Sequence, residues 1–267
     1  MSHFINHKYI PAFWYSSNNF GDNLTHYLIK KISGKTPVLV EKNDPCLKVM
    51  VTGSILNNDV TNAVVWGCGL AYRNDDIPPK TSILAVRGKL TGALLQEKGI
   101  EFNHVYGDPA LLLPILYNPE VPKLWKLGIL PHFVDVKSVY DRLDMTDMEL
   151  ASYGIKILDI NDNVESVIQQ IKSCDKILSS TLHGIITSHA YGVPCEWTKF
   201  TDLVLGDDFK YLDYFSSINF NKTDFIDLRE DKLKKETLWA LASYNGFIAP
   251  ILDIDLNKLL NNCPFRF

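Results

Sequence analysis

The run Ser179-Ser180-Thr181-Leu182-His183-Gly184 gathers residue types that can bind an anion and move a proton. An apolar stretch, Lys176 to Leu178, precedes it and reads as a buried parallel strand. Ile185 to Tyr191 follows as an apolar helix, stopped by Gly192 and Pro194. The reading is strand, tight loop, helix. Loops at the carboxyl ends of strands carry the ligand in open α/β sheets. A loop that opens a helix adds free N–H groups and a positive dipole end. His183 stands where it could touch such an anion, and an imidazole changes charge near neutral pH. The alternative is a structural histidine at a helix start.

Other residues repeat this placement. Arg87 ends the apolar strand Thr81–Val86, and its planar fork of donors suits phosphate or carboxylate; the alternative is an ion pair with a nearby acid. Asn19-Phe20-Gly21-Asp22-Asn23 follows an aromatic strand and opens a helix that Asp22 or Asn23 could cap. There Asp22 is either a ligand-loop residue or a plain cap. His132 follows the strand Lys126–Pro131. Lys210, in an aromatic and acidic helix at 207–215, is either a ligand contact or a solvated lysine. Asp108-Pro109 reads as a cap and first helical residue. Asp253-Ile254-Asp255 has no strand leading into it and reads as capping, so no metal site is expected.

These loops need two sets of strands to hold them. At 267 residues the chain is long enough for two α/β domains. Short apolar strands are expected at 38–40, 48–52, 62–66, 81–86, 104–108, 126–130, 154–160 and 193–197, with the continuous apolar character of strands covered on both faces. The clearest helix follows Asp162-Asn163, where Val164, Val167, Ile168 and Ile171 recur at helical spacing. A helical tail is expected over about 229–247. Two prolines among polar residues at 117–123 mark the boundary. This predicts an N-terminal Rossmann-like domain over 1–118 and a C-terminal one over 122–267, the terminal helices packing back on the first. No internal sequence repeat is visible. Gly67-Cys68-Gly69 lacks the third glycine of a dinucleotide fingerprint, and no Walker A sequence occurs.

Composition narrows the partners. Hydrophobic content is 46% and charged content 22%, as in a soluble globular protein. With 27 basic and 31 acidic residues the net charge is −4, which speaks against nucleic acid as a partner. The five cysteines are scattered without a CxxC, so neither a disulfide framework nor a zinc site is expected and a reducing compartment is. Residues 1–10 lack the apolar core of a signal peptide, and no run approaches the ~20 apolar residues of a membrane helix.

Taken together, Asn19–Asn23, Ala85-Val86-Arg87-Gly88, Tyr106-Gly107-Asp108-Pro109, Gly128-Ile129-Leu130-Pro131-His132, Ser180–Gly184 and Gly192-Val193-Pro194 make the chain resemble the polysaccharide pyruvyl transferase family. The resemblance implies two Rossmann-like domains facing a cleft, a GT-B-like α/β fold. It implies a transferase that moves pyruvate from phosphoenolpyruvate onto two hydroxyls of a sugar, as a cyclic ketal. It also implies a place in exopolysaccharide or capsule biosynthesis. The acceptor is then a sugar in a polysaccharide or a lipid-linked precursor. The work lies in the cytoplasm, at the inner face of the membrane where the acceptor is lipid-linked, and phosphoenolpyruvate is the donor substrate with no cofactor. The family's donor site maps to Arg87, Leu182 and His183. Thr181 stands where the family often has an arginine, one phosphate contact fewer.

On this reading Arg87 and His183 are the catalytic candidates. Leu182, Thr181, Gly184, His132, Gly21, Asp22 and Lys210 are substrate-binding candidates. Ketal formation needs a proton on the methylene carbon, attack by one hydroxyl at the adjacent carbon, loss of phosphate and attack by the second hydroxyl. His183 is the candidate acid or base, a purely phosphate-binding role being its alternative. Two other readings remain open. One is a GT-B-type glycosyltransferase using a nucleotide sugar, with Glu196 or Asp202 on the ribose. The other is a non-catalytic sugar-binding protein.

Overall fold

The computed structural model describes residues 4, 8–16, 19–80, 82–229 and 233–266. Residues 17–18, within the first expected loop, Thr81 at the start of an expected strand, and 230–232, within the expected helical tail, lie outside the described residues. The chain begins β1 (Tyr9–Ala12), α1 (Phe20–Ser33), β2 (Thr36–Leu39), β3 (Lys48–Met50), β4 (Ala63–Trp66), β5 (Ser82–Ala85), α2 (Lys89–Glu97), a 3-10 turn (Pro109–Leu112) and α3 (Leu113–Leu116). It continues with β6 (Leu127–Leu130), α4 (Val136–Arg142), α5 (Asp147–Ser152), β7 (Ile155–Ile157), α6 (Val164–Lys172), β8 (Ile177–Ser179) and α7 (Leu182–Ala190). It closes with β9 (Cys195–Lys199), α8 (Phe209–Ser217), β10 (Ile226–Asp227), α9 (Lys235–Ser243) and α10 (Leu256–Asn261).

The chain divides into two compact units. The first holds Met1–Leu116 with two returning segments, Gly206–Lys222 and Leu252–Phe267; the second holds Tyr117–Leu205 and Thr223–Ile251. Each contains one five-stranded sheet, and all the strand pairs are parallel. The orders are β2-β1-β3-β4-β5 and β10-β9-β8-β6-β7. Read from the other edge, the second sheet has the same order as the first: its second strand, its first, then its third, fourth and fifth. Each unit is therefore an α/β layer of flavodoxin-like strand order, with a topological switch point between its first and third strands. In the first unit that point lies between β1 and β3, in the second between β6 and β8.

The central strands are apolar because both faces are covered. Ala63–Trp66 and Leu127–Leu130 are buried throughout. In the first unit Met50, Val65, Ile83 and Leu95 meet in one core; in the second, Ile129, Leu178, Phe200 and Leu238 meet in another. Helix α6 lays Val164, Val167, Ile168 and Ile171 inward, each burial contributing about 1.5–3 kcal/mol, and Asn163 caps it by accepting from Ser166 N–H at 3.0 Å.

Several local expectations change. Helix α1 is capped by Asn19 and not by Asp22 or Asn23: the Asn19 side chain accepts from Gly21 N–H, and the helix is already under way at Phe20. The expected strand at 104–108 is reduced to one bridge, Tyr106 to Val86. His104 sits at φ 51, outside the extended region, and Asp108 turns the chain by accepting from Ala110 N–H at 2.9 Å. Residues 136–142 and 147–152 form α4 and α5, the latter with a Thr146–Glu149 capping box. Helix α7 begins at Leu182, so His183 is a helical residue and not a loop residue. The capping reading of the Asp253–Asp255 stretch holds: Asp255 caps α10, accepting from Lys258 N–H at 2.8 Å. No described helix is long and apolar enough to cross a membrane.

Candidate functional site

In the second unit the candidates collect at the switch point. Strands β6 and β8 pair directly, Leu130 opposite Ser179. His132 therefore leaves the sheet beside Ser180–His183. Ser179 is turned inward, its hydroxyl donating to Leu130 O at 2.9 Å and accepting from Thr181 N–H at 3.1 Å. Thr181 is the N-cap of α7 in extended conformation, yet its side chain caps nothing. The first-turn N–H groups of a helix have no partner within it. Among the described residues nothing accepts from the N–H of Leu182 or Gly184. His183 is the second helical residue and is 8% exposed. Gly184 answers a packing need. A Cβ there would meet Thr181 Cγ2 at 2.6 Å and Leu130 Cδ2 and Ser179 Oγ at 2.7 Å. The helix start can approach the strand ends this closely only with glycine in that place.

Two residues that sequence reasoning did not single out for chemistry, Asp135 and Thr201, organise this loop cluster together with Ser180. Asp135 is fully buried and accepts from the Ser180 hydroxyl at 2.5 Å and from the Thr201 hydroxyl. Ser180 Oγ in turn accepts from His132 N–H at 2.9 Å, and Asp135 N–H donates to His132 O at 2.7 Å. One carboxylate thus ties the ends of β6, β8 and β9. His132 itself is half-buried, its ring 4.6 Å from that of Phe133. The only sequence signal for Asp135 was its place three residues after His132.

In the first unit Gly21 and Asp22 lie in the first turn of α1, beside the switch point. Gly21 is buried and its carbonyl accepts from Thr52 Oγ1 at 3.4 Å; Thr52 and Thr25 share a hydroxyl contact at 3.0 Å. Asp22 is half-buried, an acid at the positive end of the helix. Arg87 lies elsewhere, past the edge strand β5, and is 0% exposed. Its Nε and Nη2 meet Asp213 Oδ2 at 3.0 and 2.9 Å, Nη1 donates to Ser54 Oγ at 2.8 Å, and Nη2 donates to Leu70 O at 2.6 Å. The ion pair with a nearby acid is present, and the fork is engaged by protein groups on every nitrogen. What it does is join the strand-end loops after β3 and β4 to α8.

Asp213 also completes α2. The N-cap there is Gly88, which has no side chain to cap with. Asp213 Oδ1 accepts from Thr91 N–H at 2.8 Å, Oδ2 from the Thr91 hydroxyl at 2.7 Å, and Ser216 Oγ from Lys89 N–H at 2.9 Å. A Cβ at residue 88 would stand 1.8 Å from Asp213 O, so glycine is required. No sequence signal links residues 126 positions apart. Cys68, beside Arg87, has its thiol pushed up to about 12 by burial and is neutral. Lys210, on α8, is 8% exposed and not the solvated lysine that was its alternative; its ammonium lies 5.2 Å from the Tyr211 ring centre. Asp202, a candidate for a ribose contact, is paired with Arg229 at 2.7 Å near the surface.

Among relatives of known sequence, an uncharacterised protein, L143, of Acanthamoeba polyphaga mimivirus is 28% identical over 252 residues, 91% of this chain and 84% of its own length. The succinoglycan biosynthesis protein ExoV of Rhizobium meliloti (strain 1021) is 28% identical over 223 residues, 78% of this chain and 64% of its own, so the match spans less than two thirds of that protein. Residues 3–195, which carry both switch points and the His183 helix start, match the polysaccharide pyruvyl transferase family, and the chain belongs to that family.

Proposed function

We propose that this protein transfers pyruvate from phosphoenolpyruvate to two hydroxyls of a sugar, in a polysaccharide or a lipid-linked precursor, and forms a cyclic ketal. The observation that carries the reading is the start of α7: a first turn that the Thr181 side chain does not cap, bearing His183 at the switch point of the second sheet, in a chain of this family. Phosphoenolpyruvate brings a phosphate and a carboxylate, and an open helix start suits either. In the balanced reaction the first hydroxyl oxygen attacks the enol carbon and the methylene takes up one proton. The phosphate leaves with its bridging oxygen, the second hydroxyl closes the ketal, and its proton departs with phosphate or to solvent. His183 is assigned the proton step and His132 a donor contact from the neighbouring strand end. Thr181 and Gly184 shape the turn, while Leu182 stays with the donor. Gly21, Asp22 and Lys210 are assigned to substrate through the first unit. Arg87 acts through the loops it holds, since its fork is already engaged. Exopolysaccharide biosynthesis is the proposed setting, in keeping with the succinoglycan biosynthesis that names ExoV.

The test is ligand-induced thermal stabilisation of the intact chain by phosphoenolpyruvate, with UDP-sugars and GDP-sugars alongside, followed by phosphate release in the presence of acceptor oligosaccharides. A ligand at 100 times its Kd adds ~2.7 kcal/mol to stability. Phosphoenolpyruvate should stabilise the wild type, and His183→Ala should lower turnover by about 10²–10⁴ while still folding. Stabilisation by a nucleotide sugar alone would reject pyruvyl transfer.

A further inference from the structure

Asp135 is the N-cap residue of α4, and aspartate is among the best capping residues, yet its carboxylate makes no cap. It points away from its own helix and into the strand-end cluster, where it is fully buried. There it takes the Ser180 hydroxyl from β8 and the Thr201 hydroxyl from β9. The carboxylate therefore serves the loops and not α4. The consequence runs through Ser180. Its one proton goes to Asp135, which turns its lone pairs toward His132 N–H. A second link, Asp135 N–H to His132 O, closes the ring of bonds. The backbone of His132 is thereby pinned on both its N–H and its C=O at the end of β6, the strand paired with β8, and its half-buried ring accepts from Val134 N–H at 3.5 Å.

We propose that Asp135 is a positioning residue, acting through Ser180 to fix the His132 ring against the His183 helix start at the switch point of the second sheet. The functional meaning rests on the pyruvyl transfer reading; the geometric meaning does not. Removing the aspartate changes a charge as well as a bond, so Ser180→Ala is the deciding variant: it leaves the carboxylate and cuts the link. The ring signals of the histidines are followed by NMR through a pH titration of the intact chain without ligand, with His132 assigned by His132→Gln. The same variants are then assayed for kcat and KM with phosphoenolpyruvate. Positioning requires that Ser180→Ala and Asp135→Asn both move the His132 titration. It further requires that kcat fall by about 10²-fold, the loss expected when a reacting group is misplaced by ~1 Å, with a smaller change in KM. The double variant should lose no more than the worse single one, since both cut the same link. An unchanged His132 titration in folded Ser180→Ala overturns the proposal. Should the wild type not turn phosphoenolpyruvate over, the titration still decides on Asp135, and the donor assignment fails separately.

Discussion

The two units share a strand order but treat their helix starts in opposite ways. In the first unit α2 begins at a glycine, and α8 supplies the missing cap from far along the chain, Asp213 and Ser216 taking the N–H groups of Thr91 and Lys89. The same carboxylate neutralises Arg87, so the whole arrangement is buried and closed. In the second unit α7 begins at Thr181, whose side chain caps nothing, and the buried carboxylate nearby, Asp135, is spent on Ser180 and Thr201. A closed helix start holds a sheet together; an open one leaves N–H groups for an anion. The difference separates a structural strand end from a candidate ligand-binding one, although sequence alone made Arg87 and His183 look alike.

The sharpest way to break the comparison is Asp213→Ala. It leaves the Arg87 guanidinium buried without its counter-charge and uncaps α2. A loss of about 3–5 kcal/mol is expected in chemical denaturation of the intact chain. Replacing both partners, Arg87→Met with Asp213→Leu, should be milder than either single change. Thiol labelling places the damage: Cys68 and Cys263, both buried in the first unit with thiols pushed up to about 12, should become reactive before Cys174 of the second. Equal labelling of all three would mean that the clamp supports more than its own unit.

Gly184→Ala probes the open end. Its Cβ would press on Thr181, Leu130 and Ser179, and overpacking of this kind costs about 1–3 kcal/mol. The loss of stability should be smaller than for Asp213→Ala, but phosphoenolpyruvate stabilisation should fall with it, because the first turn of α7 must shift. An unaltered ligand response would show that the turn does not bind the donor. The smallest effect is expected from Asn163→Ala, which removes the ordinary local cap of α6. About 1 kcal/mol should be lost, with no change in turnover, as a reference for what a cap contributes when it serves only its helix.

Much of each unit was legible in the sequence. The apolar run before Ser179, the Val164–Ile171 periodicity and the Asp108-Pro109 turn all appear where their local chemistry requires. Errors came where the backbone had alternatives. Asn19 displaced Asp22 as cap because the helix begins earlier, and the 104–108 strand failed because His104 takes a positive φ. The shared 2-1-3-4-5 order of the two sheets leaves no trace as a sequence repeat, since strand order needs only apolar residues in turn and not the same ones.

By itself the sequence determined the α/β class, the strand-to-helix loops and the residue types that stand at them, because hydrophobic period, glycine and capping residues act over a few positions. The tertiary structure alone decided which of those residues are already engaged by other protein groups. Arg87 is closed by Asp213 across 126 positions, and Asp135 turns from its own helix to Ser180 and Thr201 across 45 and 66. The physical reason is that a buried charge must find its partners wherever the fold brings them, and nothing in the local pattern records where that is.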